Sequence, residues 1–267
     1  MLKRCIMQMD GDICMNNYKE LLERYDTDEL IEDLKEYGIV LHENQVCQLL
    51  KYYEILLEWN SFMNLTGITE YKEVIQKHFV DSLSLAGYMD LFTVHTVIDI
   101  GTGAGFPGIP LKIAFPHLKM TLLDSLKKRI GFLNHVIEVL ELSEINTVHG
   151  RAEDFARPDQ SRESFDLCVS RAVANLSTLS EYCLPFVKTG GMFVSYKSEK
   201  VSEELEESGN AIHLLGGFPA KRNDFILHGS DFHRTLIFIQ KQKKTPLKYP
   251  RKAGLPSKDP LCEKIHR

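Results

Sequence analysis

Val97-Ile98-Asp99-Ile100-Gly101-Thr102-Gly103-Ala104-Gly105-Phe106-Pro107-Gly108 decides the fold of this chain. An apolar run carries an acid near its end, and four glycines follow between positions 101 and 108. A buried strand that runs into a tight turn and then a helix has this pattern. Glycine lets the backbone turn sharply and approach a ligand with no Cβ in the way. On open α/β sheets, ligands bind beyond the carboxyl ends of the strands, where this turn lies.

Two cofactor readings compete. Gly103, Gly105 and Gly108 fit G-x-G-x-x-G, the dinucleotide fingerprint, whose helix N-terminus holds a pyrophosphate. Asp99, Gly101, Gly103 and Gly105 fit D-x-G-x-G-x-G. S-adenosylmethionine has no phosphate; it carries an ammonium and a sulfonium, which an acid at the strand end suits. The bland alternative is a glycine turn that holds nothing.

Outward from the turn, short apolar runs alternate with amphipathic segments. The runs are 96–100, 120–123, 145–148, 165–170, 192–196, 225–227 and 235–239, with helical patterns such as 127–140 and 176–187 between the first five. Strands alternating with helices predict βαβ units and a mostly parallel sheet. Only 228–234 joins the last two strands, too short for a helical crossover, so they should pair antiparallel. That ending favours a methyltransferase layout over a dinucleotide dehydrogenase.

Asp124 closes the second strand, 23 positions after Gly101. An acid there accepts hydrogen bonds from a ribose diol, whichever cofactor is bound. It could also cap the next helix. Glu153 and Asp154 follow the third strand, where an adenine edge is read; either could instead favour a helix N-terminus.

Upstream, Val46, Leu49, Leu50, Tyr53, Leu56 and Leu57 give 43–60 one apolar helical face. A second helical stretch covers 69–89, and a short helix is expected near 28–37. The first twenty or so residues are expected to be poorly ordered. The domains expected are an extension over 1–43, a helical subdomain over 44–92, a cofactor-binding domain over 93–240 and a basic tail over 241–267.

Net charge is −5, with 43% hydrophobic and 26% charged residues, ordinary for a globular chain. Residues 241–267 hold nine cations against two acids, a local charge of +7, which leaves −12 for the rest. A basic tail on an acidic body points to a polyanion, or simply to a solvated terminus. Six cysteines lie without C-x-x-C pairing, which fits a reducing cytosol and no structural metal. No secretion signal and no membrane span are read, so a cytoplasmic place is expected.

Several strings line up with one family. They are Glu58-Trp59-Asn60 with Asn64-Leu65-Thr66, His78-Phe79-Val80-Asp81-Ser82-Leu83, and Leu123-Asp124-Ser125-Leu126-Lys127-Lys128-Arg129. Ser170-Arg171-Ala172-Val173-Ala174 and Tyr249-Pro250-Arg251-Lys252-Ala253-Gly254 complete the set. Over about 43–260 the chain resembles the RsmG (GidB) family of bacterial 16S rRNA guanine-N7 methyltransferases. The resemblance implies a Rossmann-like class I methyltransferase, α/β, with a seven-stranded, mostly parallel sheet, an antiparallel last strand and a small helical N-terminal part. It implies S-adenosylmethionine as cofactor and, as substrate, a guanine in the 530-loop region of 16S rRNA, free or in the 30S subunit. Cofactor contacts carried over are Gly101, Phe106, Asp124, Ser125, Leu126, Ala152, Glu153 and Arg171, joining Asp99, Gly103 and Gly105 of the loop.

Guanine N7 carries a free lone pair and needs no deprotonation, so no catalytic residue is assigned; positioning is the main task. Cytosine C5 methylation needs a nucleophilic Cys, and Cys183 before Leu184-Pro185 is in the wrong setting. Exocyclic amine methylation usually goes with an Asn/Asp-Pro-Pro-aromatic string, and Ser170-Arg171-Ala172-Val173 stands there instead. Both absences narrow the target toward a ring nitrogen. Lys197 and Arg171 are the positioning candidates, and Lys197, Asn64, Thr66, Arg129, Arg251 and Lys252 the RNA contacts. A monomer is the default, with neither membrane nor metal. An NAD-linked oxidoreductase and a non-catalytic ribosome-assembly factor are the competing functions.

Overall fold

The run at 96–100 forms β1 (Thr96–Ile100), buried at its last four positions, as a central strand covered on both faces should be. Six more strands follow: β2 (Lys119–Asp124), β3 (Ile145–His149), β4 (Phe165–Arg171), β5 (Val187–Lys197), β6 (Gly217–Ile226) and β7 (His233–Lys241). The computed structural model describes residues 20–171, 174–198 and 201–262. Cys5, Cys14 and the order expected of the first residues lie outside that range.

The strands build one seven-stranded sheet in the order β3-β2-β1-β4-β5-β7-β6. β1 to β5 pair in parallel, and β7 runs antiparallel to both β5 and β6. The expected fold class is the observed one. Successive strands step one way from β1 to β3 and the other way from β4 to β5. The reversal falls between β1 and β4, the switch point where open α/β sheets bind ligands. Ser170 Oγ donates to Ile100 O at 2.7 Å, tying the two strand ends together there. The edge strand β6 exposes Lys221 and Arg222, charges that discourage pairing with a further strand.

Alternation along the strands feeds two apolar clusters, one per face. Val97 and Leu167 enter one; Ile98 and Cys168 enter the other. The first cluster also takes Leu30 and Leu34 from the helix Asp28–Glu36, Leu49 and Tyr52 from the helix Glu43–Met63, and Phe79. The N-terminal helices therefore share their core with the sheet. Gln45 Nε2 adds a polar tie, donating to Ile113 O at 2.7 Å.

Two elements depart from expectation. The helix Val201–Leu214, absent from the helical patterns named above, carries Glu203, Glu204, Glu206 and Glu207. Its apolar stripe is narrow: Val201, Ala211 and Ile212 are buried, with Ser208. The stretch expected as an ordinary helix over 69–89 holds α turns at Tyr71–Val74 and Asp81–Leu83 around a π-helical segment, Ile75–Val80.

Up to residue 262, the basic segment after 240 packs onto the body. Lys241 ends β7 fully buried, and its ammonium donates to Leu184 O at 2.6 Å and to Thr245 Oγ1. Desolvation pushes its pKa down to about 8. Cys47, Cys168 and Cys183 are buried thiols. Among the described residues, no helix is long and apolar enough to cross a membrane.

Candidate active site

Asp99 is fully buried beneath the glycine turn. Its Oδ2 accepts from Thr102 Oγ1 at 2.7 Å and from Gly108 N at 2.9 Å. Burial raises its pKa to about 6. Its Oδ1 is buried with no hydrogen-bond partner among the described residues. The acid expected to meet a ligand's ammonium thus holds the loop from behind. The helix Gly108–Ala114 begins with this carboxylate on its first N–H, the place a pyrophosphate would need.

Gly105 has φ +96°, and a Cβ there would lie 2.5 Å from Ile109 Cδ1 and 2.7 Å from Tyr52 Oη. Only glycine fits. Tyr52 was not foreseen in this role. It reaches from the helix Glu43–Met63, donates its hydroxyl to Ala104 O, and sets its ring 5.3 Å from Phe106. Complete burial raises its pKa well above the usual phenol value, so it stays a donor.

Asp124 closes β2 and organises the next turn. Its Oδ2 accepts from Gly103 N at 3.0 Å and from Arg129 Nη1 at 3.1 Å; its Oδ1 accepts from Leu126 N at 2.9 Å. One carboxylate so aligns the glycine loop with the 124–126 turn. A cavity of about 290 Å³ opens there, lined by Gly101, Ser125, Ala152, Glu153 and, unforeseen, Tyr182. Leu126 lies outside its lining, half-exposed. Glu153 is buried, with Oε1 accepting from Gly254 N at 2.8 Å, which draws the C-terminal segment onto the cavity wall.

A second cavity, about 510 Å³, lies at the ends of β4, β5 and β7. His78, Asp81, Arg171, Lys197, Glu204 and Arg234 line it, so the two positioning candidates come together. Arg171 Nη1 donates to Lys77 O at 3.0 Å, and its guanidinium stands 5.1 Å over the Phe106 ring. The widened π-helical turn carries that carbonyl, and such turns recur at functional sites. Lys197 Nζ donates to Ala174 O at 2.8 Å and to Glu204 Oε1 at 2.6 Å.

His78 stacks on Phe106 at 4.4 Å between centroids, with Nε2 2.9 Å from Thr66 Oγ1. Burial, helped by the nearby Arg171 charge, lowers its pKa to about 3, so the imidazole is neutral. His78, Asp81, Glu204 and Arg234 were missed as site residues. Polar groups at 78, 81 and 82 inside the amphipathic pattern of Val74, Phe79 and Leu83 were the available signal.

The predicted RNA contacts fall in different places. Thr66 reaches the second cavity through His78, and Arg129 stands at the donor side on Asp124. Asn64 ends its helix with φ 51° and is exposed. Arg251 is committed to Glu181, with Nη2 2.7 Å from Oε2, while Lys252 is exposed. Among the described residues, no cluster of three or more His, Cys, Asp or Glu is placed to hold a metal ion.

The sequence model for rRNA small subunit methyltransferase G (GidB) matches residues 45–228. The chain belongs to this family. A relative from Lachnoclostridium phytofermentans named ribosomal RNA small subunit methyltransferase G is 55% identical over 239 residues, 90% of this chain and 99% of its own. One of the same name from Staphylococcus carnosus is 51% identical over 235 residues, 88% and 98% of the two chains. The fold is shared with a chain from the complex of the Haloferax volcanii Trm112 methyltransferase activator and a methyltransferase. That likeness has a TM-score of 0.52 at 15% identity, covering 70% of this chain and 98% of the other. The span matched by rRNA small subunit methyltransferase G takes in Tyr52, His78, the glycine loop, Asp124 and Arg171, but stops before Arg234.

Proposed function

We propose that this enzyme transfers a methyl group from S-adenosylmethionine to N7 of a guanine in the 530-loop region of 16S rRNA. Its relatives are named as small-subunit ribosomal RNA methyltransferases. The observation that carries the chemistry is that one glycine loop borders two cavities. Gly101 lines the smaller, and Phe106 lies against His78 and Arg171 of the larger.

The donor set fits the nucleoside. The Asp124 carboxylate sits between Leu123 and Ser125 of the smaller cavity's lining, and Asp99 occupies the helix start that a dinucleotide would require. Asp124, Ser125, Ala152 and Glu153 would hold the adenosine, with Gly101 and Gly103 giving it backbone access. Bound S-adenosylmethionine supplies an electrophilic sulfonium methyl group.

The larger cavity supports a target that needs no base. The Asp81 carboxylate is taken by Arg171 and Arg234, and both nitrogens of the neutral His78 have partners. Neither is arranged to remove a proton, which suits the free lone pair of a ring nitrogen. What remains is holding N7 in line, an effect worth up to roughly 7–11 kcal/mol in model reactions. Lys197 would meet guanine O6 or its phosphate. Asn64, Thr66, Arg129 and Lys252 would contact RNA farther out, and Arg251 would do so only after leaving Glu181. Acting on ribosomal RNA, the enzyme would work in the cytoplasm.

Labelled methyl transfer to 30S subunits and to protein-free 16S rRNA, followed by mapping of the modified base, tests the proposal. N7-methylguanine in the 530 loop is the expected product. Label on an exocyclic amine, on another base or on no RNA at all would overturn it.

A further inference from the structure

We infer that Phe62 and Trp59, with Lys128 beside them, form a stacking platform for an unpaired nucleotide flanking the target guanine. The inference rests on the RNA substrate proposed above and adds a place where that RNA is held.

Phe62 lies in the last turn of the helix Glu43–Met63 and is 66% exposed. It belongs to an aromatic row. The Trp59 ring lies 5.5 Å from Phe62 and 5.3 Å from His135, tilted 33° to the latter, and Phe132 packs edge-on beneath it at 5.6 Å. Such backing keeps Trp59 oriented while Phe62 stays open to solvent.

One cation stands at the end of the row. Lys127 and Lys128 are exposed in the first turn of the helix Lys127–Val139, which carries no acid there. Positive charge at a helix N-terminus opposes the dipole. Lys128 Nζ reaches Met63 O at 3.4 Å, so its ammonium stands over the end of the aromatic helix. Exposed rings beside ammonium groups match single-stranded nucleic acid, whose bases stack and whose phosphates pair with cations.

The platform is joined to the larger cavity by a short stretch of chain. From Phe62 the chain passes through Asn64 to Thr66, which holds His78, and to Ile68, which lines the larger cavity. Thr66 N also donates to Asn60 Oδ1 at 2.9 Å, which ties this stretch to the residue after Trp59.

Trp59 is the sole tryptophan, so its emission reports on the platform. The full-length protein is titrated with protein-free 16S rRNA while Trp59 fluorescence is followed. Saturable quenching is expected in the wild type. Phe62→Ala should weaken RNA binding about ten-fold or more, as loss of one stacked base does, and Phe62→Tyr should restore it. S-adenosylmethionine binding to Phe62→Ala, measured by calorimetry, should be unchanged and shows that the variant folds. A wild-type dissociation constant for Phe62→Ala overturns the platform. So does an effect confined to assembled 30S subunits, which would assign Phe62 to a ribosomal protein. Wild-type protein that methylates neither substrate overturns the proposed function instead, a separate readout from RNA affinity.

Discussion

Arg171 Nη1 lies 2.8 Å from Asp81 Oδ2, and Arg234 Nε takes the other oxygen of the same carboxylate at 2.8 Å. One buried acid thus joins the end of β4, the helical stretch after the π turn, and the start of β7. Removing one partner of a buried ion pair leaves an uncompensated charge, at a cost of about 3–5 kcal/mol. Asp81→Asn should therefore lower the melting temperature clearly. Methyl transfer should fall more than S-adenosylmethionine affinity, because the smaller cavity does not include Asp81. An unchanged melting curve would refute the role given to this carboxylate.

Gly103 and Gly105 should respond differently to alanine. A Cβ at Gly103 meets nothing nearer than Gly101 O at 3.9 Å, though φ is +63°. Left-handed backbone costs an alanine about 1–2 kcal/mol, so Gly103→Ala should fold with weakened donor binding. Gly105→Ala adds a collision with Ile109 and Tyr52 and should be the less stable of the two. Chemical denaturation with parallel calorimetry separates them, and equal stabilities would contradict the packing described.

Asp124→Ala removes the acceptor of Gly103 N, Leu126 N and Arg129. Hydrogen bonds to charged groups are worth about 1.5–3 kcal/mol each, so donor affinity should drop at least about ten-fold. Titration calorimetry with S-adenosylmethionine reads this directly. Retained affinity would mean that Asp124 shapes the turn without serving the donor.

His78 should leave a mark on acid stability. Its folded pKa of about 3 lies below the ordinary 6.5, so folding favours the neutral ring. The stabilisation is fully present above pH 6.5 and is lost as pH falls toward 3. His78→Gln should flatten the decline of the urea midpoint across that window. Parallel declines in both proteins would exclude His78 as a contributor.

Local chemistry made much of this legible. β1 and its glycine turn are set by neighbours in sequence: an apolar run buried on both faces, then positions whose positive φ only glycine adopts without strain. Asp124 was legible too, because the βαβ repeat returns the chain to the strand beside β1 at a nearly fixed spacing. Arg171 came from the family resemblance, and its place at the end of an apolar run agrees with it. The helix Val201–Leu214 was not legible, since burial of one narrow stripe against the sheet outweighed a run of four glutamates.

The larger cavity was decided by tertiary structure alone. His78 and Asp81 come from one helical stretch, Arg171 from β4, Glu204 from the helix Val201–Leu214, and Arg234 from β7. No spacing along the chain brings them together. β7 inserts between β5 and β6, and packing of the N-terminal helices on the sheet turns the π segment toward Arg171. A strand and its turn answer to residues next to them in sequence, whereas a pocket depends on which distant surfaces bury one another.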